Sequence, residues 1–136
     1  YIVYMDGRLL NIPESVSLAL HSLKTLVNAG EIMSAGEISR RTGMSANHLS
    51  KVLRRLVVGG IICASKGPNG GFFLTERQKE HKLIDVYLLF GKPPLDNGCI
   101  YENALCDKKK CVFGGLVCKV TKSFFEHFTK TRIGDL

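Results

Sequence analysis

In the stretch PESVSLALHSLKTLVNAG the apolar residues Val16, Leu20, Leu23 and Val27 recur at helical spacing, while Glu14, Ser17, His21 and Thr25 collect on the opposite side. Pro13 suits a first turn, where its missing N–H would have no intrahelical partner, and Gly30 suits a C-cap. The pattern predicts a helix between them that leaves His21 off the core face. Two more helices are expected in SAGEISRRTGMSANHLSKVLRRLVVGGI. A short one over about Ala35 to Thr42 stops at Gly43, and a second starts from Ser45, a good N-cap. In the second, Leu49, Val52, Leu53, Leu56 and Val57 follow one face of the helical period. Asn47, His48, Ser50, Lys51, Arg54 and Arg55 are left largely outside the core, as a polar, basic face on the second helix of a helix-turn-helix.

After Gly59 and Gly60 the runs IICAS and FFLT are β-prone, and KGPNGG between them supplies a turn, so a β-hairpin wing is expected. Cys63, inside the apolar run, reads as a core residue. HKLIDVYLLFGKPP predicts a short helix over about Lys82 to Phe90, closed by Gly91 and followed by Pro93 and Pro94. Residues 99 to about 110 show no strong period and read as a loop. From Val112, the positions Leu116, Val120, Phe124 and Phe128, with Val117 and Phe125 beside them, predict a long amphipathic helix to about Thr131. A helix this apolar needs a partner surface, and a second copy of the chain is the expected one, because twofold dimers are the commonest oligomers and helix-turn-helix proteins bind paired half-sites. The fold class expected is mainly α with a small β-hairpin. It divides into a winged helix-turn-helix over 1–91, a cysteine-bearing loop over 92–111, and a dimerisation helix with a C-terminal tail over 112–136.

The 136 residues are 45% hydrophobic, ordinary for a globular protein. No apolar run approaches the ~18 residues of a membrane helix. The start of the chain lacks the zones of a signal peptide, and the four residues before Met5 carry no weight. A cytoplasmic location with no membrane partner is expected. Lys and Arg number 19 against 12 Asp and Glu, a formal charge of +7 that favours an anionic partner.

The placement of charge says more than its sum. From Ile38 through Thr75 there is no Asp or Glu, while Arg40, Arg41, Lys51, Arg54, Arg55 and Lys66 all fall inside that stretch. A solvated surface without a duty would mix its signs. Double-stranded DNA is therefore the expected partner, ahead of a winged helix that serves only protein contacts. Arg40, Arg41, Arg54 and Arg55 would meet phosphates; Ser45, Asn47, His48, Ser50 and Lys51, near the start of the second helix, would reach base edges. The wing tip, with Lys66, Gly67, Pro68, Asn69 and Gly70, would touch the backbone or the neighbouring minor groove.

Four of the five cysteines lie between residues 99 and 118, as Cys99, Cys106, Cys111 and Cys118, separated by six, four and six residues. Structural zinc sites pair ligands two to four residues apart, so zinc is weakened but kept as an alternative. Wider, loop-borne thiolates suit an iron-sulfur cluster, and Lys108, Lys109 and Lys110 would favour thiolate over thiol. The competing reading has the cysteines as small apolar residues and the lysines as a solvated run. No phosphate loop, zinc-protease helix or nucleophile with a base and orienting partner is present, so neither an enzyme nor a small-molecule substrate is expected. His48 and His127 read as surface residues.

The segments IPESVSLALHSL, EISRRTGMSANHLSKVLRRL, KGPNGGFFL and TRIGDL, together with the loop cysteines, resemble the Rrf-type family of bacterial winged-helix transcription regulators over nearly the whole chain. That family includes iron-sulfur, nitric-oxide-sensing and cysteine-metabolism regulators. The resemblance implies a homodimer with crossed C-terminal helices and a cluster, 2Fe-2S or 4Fe-4S, between one subunit's loop and the other's first helix. Cys99, Cys106 and Cys111 fall where its three thiolate ligands belong. Where some relatives use an acidic fourth ligand this chain has Ser17; His21 and Cys118 are the two candidates, and both stay open. The implied function is a repressor or other regulator in which a redox, nitric-oxide or iron-sulfur signal shifts the first helix and the spacing of the recognition helices. Two alternatives are a winged-helix repressor without a cluster, governed by thiol oxidation, zinc or a protein partner, and a small iron-sulfur electron carrier, which would have no need of the acid-free winged helix.

Overall fold

The computed structural model describes residues 12–92 and 108–136. Cys99, Cys106 and most of the expected loop lie outside the described residues. Helix α1, Glu14–Ala29, runs from the Pro13 N-cap to Gly30 as the pattern predicts. Its inward face is turned from the expected one. Val16, Ala19, Ser22, Leu23 and Leu26 are buried, whereas Leu20, Val27 and Thr25 are half-buried. The reason is that α1 packs against three helices at once, α2 (Ala35–Thr42), α3 (Ala46–Val58) and α5 (Leu83–Phe90). Small residues let helices approach closely, and the Ser22 hydroxyl donates to the Leu18 carbonyl at 2.7 Å, so its burial leaves no polar group unsatisfied. Reading only the large apolar residues misses that strip.

Strands β1 (Cys63–Ser65) and β2 (Gly71–Phe73) form the expected antiparallel hairpin, with Cys63 opposite Phe73 and Ser65 opposite Gly71. Cys63 is half-buried, not a core residue; the buried pair is Ile61 and Ile62, just before the strand. The one-turn helix α4, Glu76–Lys79, was not expected, since four residues are too few to show a period. Helix α5 begins at Leu83, where Asp85 accepts from the Lys82 amide at 2.9 Å and caps the first turn.

Lys108–Lys110 form a single 3-10 turn, and helix α6 spans Leu116–Lys130. It starts at Leu116 rather than the expected Val112 because Gly114 and Gly115 adopt φ of 57° and 77°, a left-handed kink that ends any helical path through them. Phe124 and Phe128 of α6 stack on each other at 4.3 Å and both meet Tyr87 of α5 edge-on, at 5.4 and 5.8 Å. Burial among them pushes the Tyr87 hydroxyl pKa up. The tail then returns to the start of α5. The Leu83 amide donates to the Thr131 carbonyl at 3.1 Å, the Ile133 amide to the His81 carbonyl at 2.9 Å, and Ile133 is fully buried. One hydrophobic cluster thus joins all the helices except α4. Among the described residues, no helix is long and apolar enough to cross a membrane.

Candidate nucleic-acid interface and thiol site

The turn between α2 and α3 is held by its own polar side chains. Ser34 and Glu37 form a reciprocal cap on α2: the Glu37 amide donates to the Ser34 hydroxyl at 3.2 Å and the Ser34 amide to the Glu37 carboxylate at 2.7 Å. These bonds, with Arg40 and Arg41 behind them, hold the Glu37 carboxyl below its usual pKa. Gly43 follows at φ 72°, a conformation other residues adopt only with strain, and the Ser39 hydroxyl donates to the Met44 carbonyl at 2.6 Å. Ser45 then caps α3, accepting from the His48 amide at 3.4 Å.

The expected division of α3 is observed except at Val57, expected on the core face but only half-buried, because it lies in the last turn of the helix where the core ends. Leu49, Val52, Leu53 and Leu56 are buried, and Ser45, Asn47, His48, Ser50, Lys51, Arg54 and Arg55 are all exposed. The Ser50 hydroxyl donates to the Ala46 carbonyl at 2.8 Å, which leaves its oxygen lone pairs for a partner. Arg40 and Arg41 on α2 are exposed, as are Lys66, Gly67, Pro68 and Asn69 on the wing; Gly70 is half-buried. A Cβ on Gly70 would lie 2.3 Å from the Ser65 carbonyl oxygen, so the tip closes only with glycine there. None of the ion pairs among the described residues involves Arg40, Arg41, Lys51, Arg54, Arg55 or Lys66. Arg55 alone has a recorded ring partner, its guanidinium carbon 5.6 Å from the Phe90 centroid. Such a contact is worth roughly 0.5–1 kcal/mol at an exposed site.

Of the expected thiol ligands, Cys111 and Cys118 are described. Cys111 is half-buried just before the glycine kink, and backbone amides of Gly115, then Phe113 and Gly114, bring its thiol pKa below the ordinary value. A ring of amide donors stabilises the thiolate, the form that binds metal. Cys118 is exposed on α6, within the long helix as expected. His21 and Ser17 are exposed on α1, away from the core. Among the described residues no three His, Cys, Asp or Glu side chains gather in a metal-holding group. His48 and His127 are exposed, as expected.

Two features had little or no signature in the sequence. The Met33–Phe72 bridge joins residues far apart in the chain. Arg132 bonds both Asp135, at 3.2 Å, and Glu80, at 3.2 Å; the first partner is an i, i+3 neighbour visible in TRIGDL, and the second is visible only once the chain is folded.

The profile of the Rrf2 family, described as iron-dependent transcriptional regulators, matches residues 12–136. BadM of Rhodopseudomonas palustris, named as an HTH-type transcriptional regulator, is 38% identical over 74 residues, 54% of this chain and 47% of BadM. A regulator named in the same way from Aquifex aeolicus is 29% identical over 99 residues, 72% of this chain and 65% of that protein. The chain thus spans about half and about two thirds of these two relatives. Among solved structures, CymR (YrzC), the global cysteine regulator of B. subtilis, superposes with a TM-score of 0.75 at 16% identity, covering 93% of this chain and 95% of CymR. IscR of T. potens superposes with a TM-score of 0.67 at 18% identity, covering 93% and 85%. At these identities the likeness shows the winged-helix fold, and with the family match over residues 12–136 it follows that the chain belongs to the Rrf2 family of transcriptional regulators.

Proposed function

We propose that the protein is a homodimeric, DNA-binding transcription regulator that senses redox, nitric-oxide or iron-sulfur status through a thiolate-ligated cluster. The observation that carries the reading head is the exposed surface of the acid-free stretch from Ile38 to Thr75, which covers the end of α2, α3 and the wing. Arg40, Arg41, Arg54 and Lys66 project there without intramolecular ion pairs, and Ser45, Asn47, His48, Ser50 and Lys51 line the N-terminal half of α3, the part that a helix-turn-helix presents to the major groove. Dimerisation is supported by the apolar residues leading into α6: Val112 is 92% exposed, and Phe113 and Leu116 are half or more exposed, with no part of the described chain covering them.

Cys99, Cys106 and Cys111 would hold the cluster, with His21 or Cys118 completing the set. The fit is supported by the amide-stabilised thiol of Cys111 and by the exposure of His21 on α1 and Cys118 on α6. When bound, such a cluster supplies a centre whose charge and integrity respond to oxidants and iron supply. Cys111 contributes a thiol whose pKa is lowered by backbone amides, and it lies five residues before α6, whose Phe124 and Phe128 pack against Tyr87 of α5.

The test is an anaerobic visible spectrum with an iron and sulfide count, followed by retention of genomic DNA fragments at defined salt. The expected results are a coloured protein and a binding constant that falls with salt at a slope of about −0.9 per phosphate contacted. A chain that retains no duplex overturns the reading. A colourless chain that retains duplex but takes up no iron on reconstitution removes the cluster. It favours the second reading, a repressor governed by thiol chemistry, zinc or a partner, consistent with the superposition on the cysteine regulator CymR.

A further inference from the structure

Three consecutive residues at the end of α5 lie against the ends of two other helices, Leu89 and Phe90 against the end of α3 and Gly91 against the start of α1. The Leu89 methyl carbons fill the space beside Gly59, the residue that closes α3: a Cβ there would lie 2.6 and 2.8 Å from them. The Phe90 ring lies 5.6 Å from the guanidinium carbon of Arg55, in the last turns of α3. A Cβ on Gly91 would lie 3.2 Å from Cγ of Pro13, the N-cap of α1. Immediately behind these contacts, Val86 and Tyr87 anchor α5 in the core. In the sequence, the segment that carries Cys99 and Cys106 follows directly from Gly91.

Any displacement of the end of α5 is therefore passed to the C-terminal end of α3 through Leu89 and Phe90, as well as to Pro13 at the start of α1. A helix moves nearly as a rigid rod, so tilting one end of α3 re-aims Ser45, Asn47 and His48 at the other. A guanidinium held over a ring is drawn toward that ring and away from other partners. Arg54, its neighbour in sequence, points about 100° away around the helix, and no ring contact is recorded for it.

Resting on the function proposed above, we propose that Arg55 is a positioning residue, not a phosphate contact. Gripped by Phe90, it makes the recognition helix follow the exit of α5, so that the state of the cysteine-bearing segment sets the aim of α3.

The test uses the full chain and a duplex recovered from genomic fragments that the wild type retains at fixed salt. Arg54→Ala should reduce the salt slope by about 0.9, the loss of one phosphate contact. Arg55→Ala should weaken binding at every salt concentration with the slope unchanged. Phe90→Leu removes no charge and keeps an apolar side chain; it should weaken binding by the same factor, and the double variant should be no weaker than either single one. Cys111→Ala should change affinity by about 5-fold or more in the wild type, within the ordinary range of coupling, and by a smaller factor in the Phe90→Leu background, where only Leu89 still links α5 to α3. The relay is overturned if Arg55→Ala lowers the slope as Arg54→Ala does, if Phe90→Leu binds like the wild type, or if the Cys111 effect survives undiminished in that background. A wild type that binds no duplex, or that ignores Cys111→Ala, strikes the function reading itself and takes the relay with it.

Discussion

Met33 and Phe72 exchange two main-chain hydrogen bonds, the Met33 amide donating to the Phe72 carbonyl at 2.9 Å and the Phe72 amide to the Met33 carbonyl at 2.8 Å. Met33 immediately precedes Ser34, the cap of α2, so this bridge ties the wing to the start of the helix-turn-helix. Wing and helices then share one frame, and a two-stranded hairpin too small to be stable alone gains a third partner.

Glycine is required at residue 71 for that bridge to close. A Cβ there would lie 2.4 Å from the Met33 carbonyl oxygen, inside the limit that real contacts observe. Gly71→Ala should cost about 1–3 kcal/mol of stability, as overpacking against a fixed backbone does. Chemical denaturation measures the loss, and duplex retention at fixed salt should fall with it because the wing is displaced.

The cap next to the bridge offers a smaller perturbation. Ser34→Ala removes the acceptor for the Glu37 amide and should destabilise by about 0.5–2 kcal/mol in urea denaturation. Ser34→Asp, which retains an acceptor at the N-cap, should recover most of that loss.

Cys111 should be the thiol with unusual reactivity. Amides of Gly115, Phe113 and Gly114 stabilise its thiolate. In the metal-free chain it should be alkylated by iodoacetamide at a pH below that needed for an ordinary thiol of pKa about 8.5, as site-resolved mass spectrometry would show. Retention of ordinary pH dependence at Cys111 would count against the amide ring as a thiolate site.

Acid should loosen the C-terminal turn. The Arg132 amide and then its guanidinium hold the Asp135 carboxyl below the ordinary aspartate range, so the folded chain takes up that proton less readily than the unfolded one. The stabilisation is fully present above an unfolded pKa of about 3.9 and is lost as pH falls through the lower folded value. The raised pKa of Arg132 acts only at strongly alkaline pH and leaves this window untouched. Thermal melts of the wild type should therefore drop below pH 4 more steeply than those of Asp135→Asn, in which this contribution is absent at every pH. Equal slopes would remove Asp135 from the acid response.

The helix-turn-helix was legible because its signals are local. Ser45 before a 3.6-residue apolar period and Gly43 at a left-handed turn need no distant partner to define them, and the observed α2 and the start of α3 match the expected residues. The exposure of Arg40, Arg41, Lys51 and Arg54 follows from the same period. Cys63 misled because apolar neighbours suggest burial, whereas its depth depends on how the hairpin sits over the core. The start of α6 misled because periodicity runs smoothly through Gly114 and Gly115 while the backbone does not.

Local propensity and periodicity, acting over a few residues, were enough for the sequence alone to determine the order of α1, α2, α3, α5 and α6, the wing and the acid-free stretch from Ile38 to Thr75. Tertiary structure decided which side of α1 faces inward, that Met33 grips the wing, that Arg132 reaches Glu80, and that Phe90 lies on Arg55. Each of these depends on segments separated by loops whose closure no local pattern encodes, and one hydrophobic cluster, from Val16 and Met33 to Tyr87, Phe128 and Ile133, brings those segments together.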